Sequence, residues 1–153
     1  MKKSFSILLA LLLLSIHSKA KIQFKEGDRI ILYGNSFIER MQQNGFFEAT
    51  LQLANPGKNI KLRSLAWTGD ELGYRLRPER YVNHLKNLLD LWPADYVILG
   101  FGLYESFSGS SGIKKFKEDL NGYLNEMERR HREAKIIILS PIATENLKHP
   151  HFP

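Results

Sequence analysis

Hydrophobic positions along the chain fall into one N-terminal block and four short runs, separated by segments of helical spacing. Arg29-Ile30-Ile31-Leu32-Tyr33, bounded by Gly27-Asp28 and Gly34-Asn35, has the length and β-branched content of a buried strand. A helix is expected next, with Ser36 able to cap it, Glu39 completing a capping box, and Phe37, Ile38 and Met41 on the buried side. Asn44-Gly45 interrupts that pattern, Phe46, Phe47, Thr50 and Leu51 resume it, and Asn55-Pro56-Gly57 ends it. Asn59 to Leu65 reads as a second strand that turns out through Trp67-Thr68-Gly69-Asp70. Tyr81, Leu85, Leu88 and Leu89 mark a helix from Arg80 to Leu91, stopped by Trp92-Pro93. Tyr96 to Leu99 is the third strand and runs into Gly100-Phe101-Gly102. Ile113, Phe116, Leu120, Leu124 and Met127 line one side of a long helix starting near Ser110-Ser111, and Lys135 to Leu139 is the fourth strand, ended by Pro141.

Strands alternating with helices predict an α/β fold with a parallel sheet, because parallel neighbours need long crossovers that place helices on the sheet faces. Ligands of such sheets bind beyond the carboxyl ends of the strands. Gly34-Asn35-Ser36, Trp67-Thr68-Gly69-Asp70 and Gly102-Leu103-Tyr104-Glu105 each follow a strand end, so they are expected to meet on one edge.

The N-terminal block changes where the domain begins. Lys2 and Lys3, the apolar run Ile7 to Leu14 and the small-x-small triplet Ser18-Lys19-Ala20 have the order of a signal peptide cleaved after Ala20. The run is about half the ~20 residues needed to span a bilayer, which argues against a membrane anchor. Residues 1–20 are therefore read as a leader and 21–153 as one domain, exported to the periplasm or the extracellular space. No stable membrane insertion is expected after cleavage. About 130 residues suffice for a single core, and no internal repeat is present. The absence of cysteine excludes disulfides, thiolate metal sites and a thiol nucleophile. The formal charge of +6 falls to +3 once the three leader lysines are set aside. Arg129, Arg130 and Arg132 fit the cationic end of a helix, and neither they nor Arg75, Arg77 and Arg80 are interleaved with aromatics, so no nucleic-acid partner is expected. No metal-ligand spacing, phosphate loop or dinucleotide fingerprint occurs, so no cofactor and no metal is expected.

A serine at a strand-to-helix turn is exposed on a rigid element, and the helix behind it aims free N–H groups and a positive dipole end at charge developing on a substrate. Ser36 has that position, and Gly34 keeps the turn clear of a Cβ. Alone, this pattern is equally that of an N-cap. Gly69 could offer an unobstructed amide to the same oxyanion or be an ordinary turn glycine, and Gly102 to Glu105 bring more polar groups to the edge.

In these three blocks the chain resembles the SGNH/GDSL hydrolases, from Gly27 to about Leu147. Gly34-Asn35-Ser36 is similar to that family's Gly-Asp-Ser block, Ala66 to Asp70 to its second block, and Gly102-Leu103-Tyr104-Glu105 to its Gly-x-Asn-Asp block. Phe101 to Phe107 and Ser140-Pro141-Ile142-Ala143 resemble an exported, planctomycete-like subgroup. The resemblance implies a three-layer α/β/α fold with a flavodoxin-like parallel sheet. It also implies Ser36 as nucleophile and as an oxyanion donor through its own N–H, Gly69 as second donor, and Asn35 in support. Tyr104 stands where the family's oxyanion asparagine belongs; it reads either as a replacement donor or as a packed aromatic. Asn35 in place of the usual Asp removes a negative charge beside the serine.

The resemblance further implies an Asp-x-x-His block, which this sequence lacks. His17 belongs to the leader, His84 and His131 read as solvated helix positions, and His149 and His151 lie in a Pro-flanked tail; none is assigned as base. The expectation is a domain incomplete at its carboxyl end, whose gene continues with the acid and base. The function expected is an exported, carbohydrate-esterase-like serine hydrolase acting on a small acyl or acetyl ester of a carbohydrate or lipid. Two alternatives stay open: a catalytically impaired binding module for glycans or esters, and an unrelated flavodoxin-like domain.

Overall fold

The computed structural model describes residues 22–73 and 91–142. The leader, the helix expected over Arg80 to Leu91 apart from Leu91 itself, His84 and the tail with His149 and His151 lie outside the described residues.

Four strands, β1 (Arg29–Gly34), β2 (Lys61–Ser64), β3 (Tyr96–Gly100) and β4 (Lys135–Ile138), form one parallel sheet in the order β2-β1-β3-β4. β1 and β3 are central, which is why their residues are continuously apolar: from Ile30 to Gly34 and from Tyr96 to Gly100 every position is buried. Successive side chains leave on opposite faces. Ile30, Leu32, Tyr96 and Ile98 pack on one side with Ile38, Phe37, Met41, Phe47 and Leu51. Ile31, Tyr33, Val97 and Leu99 pack on the other with Phe116, Leu120, Tyr123, Leu124 and Met127. The result is the expected three-layer α/β/α arrangement.

The first face is covered by α1 (Ser36–Gln43) and α2 (Phe46–Ala54), separated at Asn44-Gly45 as the break in periodicity predicts. The second is covered by α3 (Ile113–Arg130), which follows a 3₁₀ segment, Glu105–Gly112. Lys115 pairs with Asp119 at 2.8 Å one turn along α3, and this carboxylate raises the Lys115 pKa.

Several local expectations are corrected. Ser36 is the first residue of α1 and not its cap; Asn35 is the cap, accepting from the Phe37 N–H at 3.3 Å. Glu39 does not close a capping box, because its carboxylate accepts from the Thr68 hydroxyl instead. β2 begins at Lys61 rather than Asn59, since Asn59 has φ +48°, a left-handed value that no strand residue adopts. Its ladder still reaches Leu65, whose N–H donates to the Leu32 carbonyl at 2.8 Å. Ser110 and Ser111 lie in the 3₁₀ segment, so α3 starts later than expected. Ile113 is 50% exposed and stands outside the core, and Tyr123 takes a place the spacing did not assign. His131 is buried, not solvated: it ends α3, and its Nδ1 accepts from the Ala94 N–H at 3.4 Å.

Candidate active site

With all four strands parallel, their carboxyl ends share one edge. The chain leaves β1 outward to β2 and β3 outward to β4, so the crevice between β1 and β3 is the point where the winding reverses. Ser36 follows β1 and Tyr104 follows β3, one on each side of that crevice.

Close backbone approach sets Ser36 there. Gly34 and Gly100 are register partners, and Ile38 of α1 packs over both. A Cβ on Gly34 would lie 2.4 Å from the Gly100 carbonyl oxygen and 2.6 Å from Ile38 Cγ1, and one on Gly100 would lie 2.5 Å from Ile38 Cγ1 and Cδ1. Gly34 thus serves close packing of α1 on the strand ends, and its φ is not positive. Asn35 is 2% exposed and spends its side chain on the cap. Asn35 thus fixes the start of α1, the helix that Ser36 opens.

The Ser36 hydroxyl makes a 2.6 Å hydrogen bond with the Tyr104 phenol, a normal length for two hydroxyls. Both residues are half-buried. The Tyr104 ring also lies 6.3 Å from that of Phe107. The Trp67–Asp70 turn is tied to the same helix start from the other side. The Trp67 N–H donates to the Gly34 carbonyl at 3.1 Å, and Thr68 donates to Glu39 on α1. Within that turn Gly69 has φ +82°, a conformation that favours glycine, and no neighbouring atom crowds the position where a Cβ would be. Asp70 is 1% exposed.

One contribution was not legible in the chain. Glu105 accepts from the Gly102 N–H through Oε2 and from the Leu72 N–H through Oε1, both at 2.9 Å. It thereby joins the segment after β3 to the segment after β2. Its place beside Tyr104 was visible; its bond to Leu72, 33 residues away, was not. Histidine does not approach this edge among the described residues: His131 and its partner Ala94 precede β4 and β3, at the opposite, amino-terminal edge of the sheet. Also among the described residues, no group of three or more His, Asp or Glu side chains is placed to hold a metal ion, and no helix is long and apolar enough to cross a membrane.

No family model and no curated protein matches this chain. Solved structures do. The acetyl xylan esterase AlAXEase superposes with a TM-score of 0.53 at 16% identity, over 72% of this chain and 56% of that protein. A protein of Slackia heliotrinireducens, provisionally described as an SGNH hydrolase, superposes with a TM-score of 0.51 at 17% identity, over 74% of this chain and 55% of its own. The chain thus spans little more than half the length of either. At such identities the likeness concerns architecture, and with the parallel sheet and its two helical layers it establishes that this chain has the SGNH hydrolase fold.

Proposed function

We propose that the chain carries the nucleophile and oxyanion portion of an exported serine ester hydrolase acting on acetyl or other small acyl groups of a glycan. One observation carries the reading. Ser36 opens a helix at the switch point of an SGNH-fold sheet, with its hydroxyl engaged by a second polar group from across the crevice. The N–H groups of the first turn of such a helix have no partner within the helix, and its dipole favours negative charge. In the proposed reaction the Ser36 oxygen attacks the acyl carbon, and the Ser36 and Gly69 amides with the Tyr104 phenol receive the charge on the carbonyl oxygen. Collapse expels the alcohol, and water then releases the acid from the acyl-serine. The proton on Ser36 goes to a general base supplied from outside the described residues. The acetyl xylan esterase among the structural neighbours supports the choice of a glycan ester.

Reaction of the folded protein with a fluorophosphonate, read by peptide mass spectrometry, tests this. Labelling at Ser36 that disappears in Ser36→Ala is the expected result; labelling that survives the substitution, or correctly folded full-length protein that takes up none, rejects it. Export has its own test: protein recovered outside the cytoplasm begins at Lys21, and one that keeps Met1 to Ala20 refutes cleavage there.

The Ser36–Tyr104 bond also favours a second reading, in which the phenol occupies the hydroxyl and the site binds acylated glycans without turnover. Calorimetric binding of an acetylated xylo-oligosaccharide that survives Ser36→Ala, with no acetate released by the parent, would select it.

A further inference from the structure

We infer that Glu105 is a positioning residue that sets the two halves of the crevice against each other. The inference rests on the proposed role of Ser36 and adds a residue to which that proposal gives no part. The β2 turn, which carries Gly69, and the segment after β3, which carries Tyr104, come from different crossovers, and no strand pairing joins them. Glu105 joins them with one carboxylate. Oε1 takes the Leu72 N–H, three residues past Gly69, and Oε2 takes the Gly102 N–H, two residues before Tyr104. Charge-assisted bonds of this kind are stronger than neutral ones, and two from one planar group fix orientation as well as distance. Gly102 has φ +110° and is buried against Pro141 and Phe116, so the β3 end of the clip is anchored in the core. Leu72 is likewise buried in the cluster beneath α3. Glu105 does not reach Ser36 itself; it acts through the Tyr104 phenol that does.

A glutamine at this position has one acceptor oxygen and turns an N–H₂ toward the second amide, so it can keep one of the two bonds. An alanine keeps neither. In the 153-residue chain, Glu105→Ala is expected to speed hydrogen exchange at the Leu72 and Gly102 amides by about tenfold or more, with the Ile31 and Val97 strand amides unchanged. The Tyr104 ring resonances are expected to move in the same variant, and the rate of Ser36 labelling by a fluorophosphonate to fall by about tenfold or more. Glu105→Gln is expected to release one amide and to lie between. Wild-type protection of both amides in Glu105→Ala overturns the inference. So does faster exchange that leaves the Tyr104 ring and Ser36 labelling untouched. Should Glu105→Ala also lose strand protection, the isosteric Glu105→Gln decides by the same criteria. If wild-type Ser36 takes no label in this chain, the amides and the Tyr104 ring still decide the clip.

Discussion

The Tyr104 phenol hydrogen-bonds the Ser36 hydroxyl at 2.6 Å, and in the proposed reaction it donates to the oxyanion. Tyr104→Phe is expected to lower hydrolysis of p-nitrophenyl acetate by about a hundredfold, the usual cost of one lost oxyanion donor. An unchanged rate would make the phenol a bystander. Far from the site, Glu126 gives a second residue-level expectation. Arg129 and Arg130 hydrogen-bond its carboxylate at 2.6 to 3.0 Å and hold its pKa at about 2, below the ordinary 4.5. Because the folded value is the lower one, the ionised carboxylate favours the folded state above about pH 4.5, and that contribution is lost as pH falls toward 2. Thermal melts of Glu126→Gln should therefore lie below wild type at pH 7, by a modest margin since the pair is partly solvated, and converge with it near pH 2. A gap that persists at pH 2 would assign the effect to packing. The arginine run at this helix end was readable as dipole chemistry; the acid both arginines share stands three and four residues before them, a helical spacing equally local.

Among elements, α1 is the one whose placement the site needs. It sits on the Gly34–Gly100 pair through Ile38, which is fully buried and has no room to retreat. Gly100→Ala is expected to cost about 1–3 kcal/mol in urea denaturation, the range for overpacking a filled core. The added methyl would meet Ile38 side-chain carbons first, so its cost should shrink when Ile38→Ala is also present, a non-additivity that a double-mutant cycle measures. Simple additivity would mean that α1 is held by something other than this contact. The elements themselves were legible because apolar period and turn chemistry are local. The errors fall where a local motif competed with a distant partner. Glu39 has the spacing of a capping box, yet it serves Thr68; His131 has the look of a solvated helix end, yet the chain before β3 covers it.

Over the whole molecule, stability should be graded across the sheet. β1 and β3 are buried on both faces and flanked by strands, whereas in β2 and β4 half-buried and exposed positions mix, with Lys61, Arg63, Lys135 and Ile138 facing solvent. Native-state hydrogen exchange is expected to be slowest at the amides of β1 and β3 and faster in β2 and β4. Equal protection in all four strands would show that the sheet opens only as a unit. The same winding that makes β1 and β3 central places their carboxyl ends at the reversal point, so Ser36 and Tyr104 follow the two most buried strands.

Four strands, the two-layer helical cover and the three polar turns at one edge were determined by the order of residues, since each depends on periodicity, β-branching and turn residues within a few positions. Partnership was decided only by the tertiary structure: Tyr104 with Ser36 across 68 residues, Glu105 with Leu72 across 33, Thr68 with Glu39 across 29, and His131 with Ala94 across 37. The reason is geometric. Each of these pairs lies in segments that only the parallel crossovers bring to a common edge, and a hydrogen bond is set by the last ångström of that approach, which no local pattern encodes.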